Sequence, residues 1–386
     1  MATFIQIHTL TSYPASNLNR DDSGRPKSMV YGGAERLRVS SQSLKRAFRT
    51  SPGFRESLKG ALGTRAQSFG RELEEALIEQ HGFDRLEAAR RAAMVVEHDS
   101  LGALKVKALT AKPEKGKEPK QIDPNEVEKN RSDTEQLAFL GPDELERLKA
   151  LANRVAGGGD LTDKEALVLL QRPKAADIAL FGRMLADNPG FNVEAACQVA
   201  HAFTTHRATI EDDYFTAVDE LKAARRDADK GAGFVGVQEF GAGTFYLYVC
   251  LCADELVANL SGDRELAARA AGAMVEAIAT TSPGGKQNSY ASRGRAHWML
   301  LEVGSHQPRT LGTAFERPIR PREDSSIIRS SIDRLQALRT GFQRVYGKDW
   351  EKEAAFDVDA ANDQCSGTLA AVRALAEQAV LGVKHD

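Results

Sequence analysis

Cysteine is scarce in this chain. The four residues, Cys197, Cys250, Cys252 and Cys365, are spaced neither as a disulfide framework nor as paired zinc ligands, so a reducing cytoplasm is the expected compartment. An excess of one charge is missing as well: 52 Lys and Arg stand against 54 Asp and Glu, a net charge of −2, so bulk charge points to no polyanionic partner. No apolar run approaches the length of a membrane span. The first thirty residues carry charges early and lack a continuous apolar stretch, which speaks against a secretory signal. No serine, histidine and acid set stands out as a nucleophilic motif, although triads assemble in space and this excludes little. What is present is a hydrophobic fraction of 42% over 386 residues, more than one ordinary core, so a folded protein of two or three substructures is expected.

The balanced total hides a local imbalance. Between Arg20 and Arg49 lie eight cations (Arg20, Arg25, Lys27, Arg36, Arg38, Lys45, Arg46, Arg49) and three acids (Asp21, Asp22, Glu35). Arg36 and Arg38 alternate with Leu37 and Val39, as in a half-buried strand. Ser40 or Ser41 then caps a helix. Gln42, Lys45, Arg46 and Arg49 recur at i, i+3, i+4 and i+7 on one face, while Leu44, Ala47 and Phe48 fall on the other. Hydroxyls at a helix N-terminus beside three cations on one stripe suit phosphate groups. The same residues also fit a solvated basic face.

Around this segment the pattern predicts an α+β protein. Thr3 to Leu10 reads as a strand and Ser12 to Gly33 as a long loop of the kind that carries function. Strand, loop, strand and helix open a β-α-β-β-α-β unit. It resumes with a strand at Gly243 to Cys252, a helix at Asp263 to Thr281 and a strand at Arg295 to Val303. An open ferredoxin-like (RRM-like) sheet with a large helical insertion is the result. Within the insertion, helices are expected at Pro142 to Val155, after a Thr162–Glu165 capping box, at Ala175 to Leu185, and from an Asn192 cap through His206. Ala111 to Arg131, rich in Lys, Pro and Glu, reads as a mobile loop. Tyr214 to Phe240 holds an aromatic pair, a charged stretch (Lys222 to Lys230) and a glycine cluster, too few apolar residues for a core, so it should protrude.

Other candidates are weighed in turn. Gly231 to Gly236 matches G-x-G-x-x-G, but no strand precedes it and no helix follows, so hairpin turns explain it better than a dinucleotide. Cys197 and His201, four apart on an expected helix, lack a second metal-binding pair. Cys250 and Cys252 read as small core residues, and His206 as the cationic end of a helix. Gly284, Gly285 and Lys286 form a phosphate cradle or a plain turn. Arg317, Arg320 and Arg322, alternating with Pro318 and Pro321, form a cationic strip or a solvated linker. Asp21 and Asp22 could hold a divalent ion and assist RNA cleavage, although Arg20 and Arg25 flank them as partners.

The segment from Phe4 to Arg49 resembles the amino-terminal signature of the backbone subunit (CasC type) of the type I-E CRISPR Cascade complex. The diagnostic pieces are Asn19-Arg20-Asp21-Asp22, Gly32-Gly33 and Ser40 to Ala47. The resemblance resumes at Ile178 to Met184, Ala200 to His206, Phe215 to Asp219, Gln238-Glu239-Phe240, Pro283 to Gln287 and Ala314 to Arg317. Residues 55 to 170, and those beyond 325, match weakly.

The resemblance implies a palm in two parts (1–55 and 241–323), helical fingers (56–206), a hairpin thumb (207–240) and a C-terminal helical segment (324–386). It implies a non-catalytic protein, without cofactor or metal, that binds CRISPR RNA (crRNA) in a head-to-tail filament of its own copies. Other Cascade subunits are implied as partners, and target DNA is reached through the guide. Phosphates fall to Gln42, Lys45, Arg46 and Arg49, assisted by Ser40 and Lys27, with Lys286, Arg320 and Arg322 as further RNA contacts. Tyr214, Phe215 and Thr216 match the thumb residues that displace a nucleotide, and Met184 matches a methionine that wedges between bases. The family commonly has tryptophan where Tyr214 stands and lysine where Arg49 stands. Related subunits of type III complexes cleave RNA from an acid in a comparable loop, which keeps an RNA-cleaving alternative through Asp21 and Asp22 in view.

Overall fold

A computed structural model describes residues 2–98, 101–110, 129, 131–158, 168–217, 234–360 and 367–383. The described strands are β1 (Phe4–Ser16), β2 (Ser28–Tyr31), β3 (Ala34–Val39), β4 (Thr64–Ala66), β5 (Ala138–Leu140), β6 (Cys197–Val199), β7 (Ala202–Thr204), β8 (Ile210–Ala217), β9 (Phe234–Cys252), β10 (Ala296–Gly304) and β11 (Lys352–Asp357). The helices are α1 (Ser41–Thr50), α2 (Pro52–Ser57), α3 (Phe69–His81), α4 (Arg85–His98), α5 (Pro142–Ala156), α6 (Ala176–Phe181), α7 (Ala253–Asn259), α8 (Arg264–Thr280), α9 (Gln287–Tyr290), α10 (Ile327–Tyr346) and α11 (Leu369–Leu381). Helix and antiparallel sheet together make an α+β protein. The chain divides into two compact units: Met1–Ser57, Cys197–Ala253 and Ala271–Asp386 in the first, Leu58–Ala196 and Asp254–Ala270 in the second.

The first unit is built on a nine-stranded antiparallel sheet whose path runs β11-β10-β1-β9-β7-β3-β2, with β6 and β8 also pairing to β9. Strand β1 is buried on both faces although its sequence alternates, with Ile5 and Ile7 on one side and the polar Gln6 and His8 on the other. On one face Leu10, Tyr246, Trp298 and Leu300 pack with Leu311, Phe315 and the α10 residues Ile328, Ile332 and Leu335. On the other, Val39, Phe245 and Leu247 meet Leu44 and Phe48 of α1 and Ile278 of α8.

A charged network runs from the buried interior of the α10 face out to its edge. Glu302 is fully buried, and its carboxylate accepts from Arg309 Nη1 at 2.8 Å and Arg339 Nε at 2.7 Å. Arg339 also pairs with Glu353, which lies directly across the ladder from Glu302, so one guanidinium relieves a like-charge pair. The same guanidinium lies 3.9 Å from the Trp350 ring centroid. His8, also fully buried, places Nε2 at 3.7 Å from Glu302 and Nδ1 at 2.9 Å from the Tyr246 hydroxyl. Burial alone would raise the Glu302 pKa, but His8 and Arg309 against its oxygens outweigh that and hold it far below the carboxylate range. Burial also keeps His8 neutral, below the ordinary 6.5.

The second unit packs α3, α4 and α5 around Leu73, Leu77, Val95, Val96, Leu148 and Leu151. Its polar anchor is Arg183. The guanidinium donates to both Glu144 oxygens (2.8 and 2.7 Å) and to the carbonyls of Phe139, Leu170 and Phe191, tying four segments together.

Several sequence expectations are corrected. Residues 192 to 206 form no helix: Cys197, Val199, Ala202 and Thr204 are buried and Gln198 exposed, a period of two, and the segments pair with β9 as β6 and β7. Available edges of β9 overrode the helical spacing of the same residues. Asn192 caps nothing; its Oδ1 accepts the Leu185 N–H at 2.6 Å. Helix α6 stops at Phe181 because Gly182 turns to φ +79°, where a Cβ would lie 2.9 Å from the Val193 carbonyl. The expected loop from Ser12 is strand as far as Ser16 and again at β2. Most of 111–131, the Thr162–Glu165 box, Lys222 to Gly233 and Cys365 lie outside the described residues.

Both tryptophans, Trp298 and Trp350, border the charged network and report on this unit alone. Glu302→Gln leaves two half-buried guanidinium groups against a neutral amide, Arg309 keeping Asp349 and Arg339 keeping Glu353, and a tryptophan-monitored urea titration at pH 7 should show a loss of about 1–3 kcal/mol. In the parent protein, stability should fall as pH drops below 6.5, because the unfolded chain protonates a histidine that buried His8 leaves neutral. It should fall again through the normal carboxylate range near 4.5, where the unfolded glutamate protonates and Glu302 does not. Glu302→Gln should remove that second decline.

Candidate nucleic-acid interface

Helix α1 is anchored at both ends. Ser40 is in extended backbone (φ −70°, ψ 148°), and its hydroxyl accepts the Ser43 N–H at 3.4 Å. The Ser40 N–H in turn donates to Asn19 Oδ1 at 2.9 Å, and the Asn19 carbonyl accepts the Lys27 N–H at 2.7 Å. One asparagine therefore ties the loop before β2 to the start of the helix. At the far end the Ser51 hydroxyl donates to the Phe48 carbonyl at 2.9 Å, and Pro52 opens α2. Leu44 and Phe48 are buried, so the opposite stripe faces out: Gln42 and Arg46 are exposed, Lys45 and Arg49 half-buried. Ser40 itself is only 8% exposed, its hydroxyl acting as the cap.

The loop from 17 to 27 closes on itself and on β9. Asn17 Nδ2 donates to the carbonyls of Gly24 (3.1 Å) and Glu239 (2.9 Å). Asp21 Oδ1 accepts from the Ser23 N–H, the Ser23 hydroxyl and the Arg25 N–H, and these bonds, the hydroxyl foremost, hold its pKa below the usual value. Arg25 pairs not with Asp21 but with Glu239, at 2.6 Å. Gly285 comes so close that a Cβ there would sit 2.4 Å from the Leu18 carbonyl, and Lys286, in left-handed backbone (φ 50°), donates to Gln238 Oε1 at 3.2 Å. Between these segments lies a polar pocket of about 370 Å³, lined by Arg20, Arg25, Gln238, Glu239 and Lys286 among others.

The same β9 residues continue into a two-stranded ribbon with β8, in the register Tyr214↔Val237, Phe215↔Gly236 and Thr216↔Val235. Phe215 lies across Gly236, where a Cβ would meet its ring at 2.5 Å, and tilts against Phe234 with centroids 5.9 Å apart. Tyr214 is left 65% exposed, beside exposed Val235 and Val237. Thr216 is exposed too. Phe234, Val235 and Gly236, the described part of the glycine motif, are strand rather than the start of a helix.

Arg320 and Arg322 are exposed on the stretch leading to α10, which Ile319 fastens to His206 by a parallel bridge. Met184 belongs to the second unit, 83% exposed and directly after the buried Arg183 that fixes its backbone. The structure thus gathers Ser40, Gln42, Lys45, Arg46 and Arg49 on one helix, with Lys27, Lys286, Arg320, Arg322 and the Tyr214–Thr216 ribbon on the same unit.

Three basic residues differ from expectation. Arg36 is fully buried, donating to the carbonyls of Thr204 and Phe315 at 2.9 Å each, so it is a structural strut and no part of the cationic surface. His206 does not end a helix: its Nδ1 donates to the Arg207 carbonyl at 2.8 Å and its Nε2 accepts the Thr244 N–H at 3.2 Å, which makes it neutral, and burial lowers its pKa. Cys197 is buried, its thiol pushed up to about 12, whereas His201 is exposed, so the two share no metal-binding face. His201 instead lies 2.8 Å from Arg38. That contact was hidden in the sequence because it joins residues 163 positions apart.

The family model described as "CT1975-like protein" matches residues 5–379. No curated protein matches the chain. Among solved structures, a chain of a "CRISPR RNA-guided surveillance complex, pre-nicking" superposes with a TM-score of 0.79 at 30% identity, covering 97% of this chain and 100% of the other. A chain of a "CRISPR RNA-guided surveillance complex" superposes with a TM-score of 0.67 at 26% identity, covering 98% and 100%. From a match that runs nearly end to end and a sheet-plus-helix architecture shared over full length, the chain belongs to the CT1975-like protein family.

Proposed function

We propose that the chain is a non-catalytic, crRNA-binding backbone subunit of a type I-E Cascade surveillance complex, acting in the cytoplasm in antiviral defence. The observation that carries this reading is α1: a capped helix with its apolar face locked into the sheet and Gln42, Lys45, Arg46 and Arg49 turned outward. Those side chains reach sugar–phosphate oxygens and carry no base information, so any spacer sequence is accommodated and discrimination falls to guide–target pairing. The likeness to surveillance-complex chains over the full length of both partners supports the assignment.

The neighbouring elements take parts in the same scheme. The strand path β10-β1-β9-β7, with α1 and α8 in the connections, supports a ferredoxin-like palm. The β8–β9 ribbon supports a thumb, with Tyr214 and Phe215 as the apolar wedge that unstacks a base and Thr216 beside them. Met184, held out by Arg183, serves as a second wedge from the fingers. Copies stack head to tail along the guide, a heterologous contact that generates a helical filament, and other subunits cap it. Lys286, Arg320 and Arg322 add phosphate contacts on the palm. The cleavage alternative loses support because Asp21 Oδ1 is committed to three hydrogen bonds within its own turn.

Binding of a labelled single-stranded RNA, followed by fluorescence anisotropy across a salt series, should be insensitive to base sequence and fall linearly in log–log form. Replacing Lys45 and Arg49 by Gln together should reduce the slope by about 1.4, given about 0.7 per phosphate contact on a single strand. A slope that does not change would remove α1 from the interface. In Mg²⁺ or Mn²⁺ the RNA should stay intact on a denaturing gel; regularly spaced cuts that vanish in Asp21→Ala would instead establish the cleaving alternative.

A further inference from the structure

Three basic side chains meet on the sheet beside α1, and two of them have no part in the reading above. Lys27 immediately precedes β2, and its carbonyl accepts the Arg38 N–H at 2.8 Å, which extends the β2–β3 ladder by one pair. The register therefore sets the Lys27 and Arg38 side chains opposite each other on one face. Like charges directly opposite in an antiparallel pair repel. Among the described residues neither has a carboxylate partner that would relieve this. From the turn before β7, His201 completes the group, its Nδ1 at 2.8 Å from Arg38 Nη1.

The chemistry of that contact fixes the imidazole. A guanidinium only donates, so Nδ1 must be the acceptor and the single N–H of His201 lies on Nε2. The ring is neutral and largely exposed, and its partial desolvation together with the charges of Arg38 and Lys27 lowers its pKa. Arg38 faces it from β3 and Lys27 from the β2 side. On β9, Tyr248, whose carbonyl receives the Ala200 N–H, is a phenol held neutral by burial and bonded to Gln6. Two cations with no carboxylate partner among the described residues, beside a neutral imidazole, form a concentrated positive site.

We propose that Lys27, Arg38 and His201 form a seat for one backbone phosphate, and that His201 takes up a proton from solvent as the phosphate settles. The phosphate charge favours the imidazolium and cancels the repulsion between the two cations. Once Nδ1 is protonated it no longer accepts from Arg38, and the guanidinium turns its fork to the phosphate oxygens. The only bond formed is the N–H on Nδ1, and the only bond broken is the O–H of the hydronium or buffer acid that supplies the proton. The inference rests on the RNA-binding reading for the identity of the ligand, and it adds two residues and a proton to that interface.

The full-length chain is titrated with a labelled oligouridine at constant salt at pH 8 and pH 6. Wild-type affinity should rise on acidification, by up to about tenfold per pH unit for one linked proton. In His201→Gln, whose amide oxygen still accepts from Arg38 but takes no proton, most of that gain should disappear. Lys27→Gln or Arg38→Gln should weaken binding at both pH values. Histidine ring NMR, with the His201 resonance assigned by its loss in His201→Gln, provides a second readout using inorganic tripolyphosphate, which should raise the His201 pKa. RNA binding with an unchanged pH dependence in His201→Gln overturns the seat and leaves the RNA reading standing. Absence of RNA binding with a His201 pKa that still responds to tripolyphosphate overturns the RNA reading and leaves an anion seat. No response in either experiment overturns both.

Discussion

The continuity of β9 governs the rest of this molecule. One strand of 19 residues serves two ladders: from Thr244 to Cys252 it is the centre of the sheet, paired with β1 on one side and with β6 and β7 on the other. From Phe234 to Gly241 it is one arm of the ribbon with β8. The junction falls at Gly241 and Gly243, where a Cβ would approach Leu37 at 2.7 Å and Thr204 at 2.7 Å. Because the ribbon is the same strand as the core, its direction is fixed by hydrogen bonds rather than by a flexible joint. Tyr214 and Phe215 are thereby held out from a rigid base, as the proposed wedge requires.

Around that strand the polar groups fall into two kinds. Glu302 and His8 are fully buried under α10, and the half-buried Arg309 and Arg339 donate to the Glu302 carboxylate, while His8 Nε2, 3.7 Å from it, has no hydrogen-bond partner. Arg36 and Arg183 are similar: buried guanidinium groups that satisfy backbone carbonyls at places where segments meet. Gln42, Arg46, Lys27 and Arg38 differ in facing outward or standing at the surface. A count of arginines would treat all of them alike. Burial separates struts from ligands, and it leaves the proposed RNA-binding role to a smaller set than the local charge excess suggested.

The loop between β1 and β2 links the β8–β9 ribbon to helix α1. Asn17 fastens it to the base of the ribbon and Asn19 fastens it to the cap of α1. Movement of the ribbon base would therefore be felt at the helix N-terminus through two asparagine side chains. The proposed phosphate contacts and the proposed wedge are mechanically joined by a segment with almost no apolar anchors of its own. Asp21 holds the turn within it, which gives an acid in a basic stretch a structural part.

The residues themselves determined what depends on short range. The Ser40 cap, the two faces of α1, the helices α5 and α8 and the strands β3 and β10 follow from spacing, because their stabilising contacts repeat along a few turns or pleats. The resemblance carried by Asn19 to Asp22 and Ser40 to Ala47 pointed toward CRISPR surveillance-complex subunits, the same kind of structure that this chain superposes on. Tertiary structure alone decided the state of 197–204, whose residues fit helix or strand until β9 offered an edge. It alone decided that Arg36 is buried while Arg38, two residues on, meets His201, because both facts depend on partners far away in sequence. Local spacing sets which way a side chain points; only the packed sheet sets what it finds there.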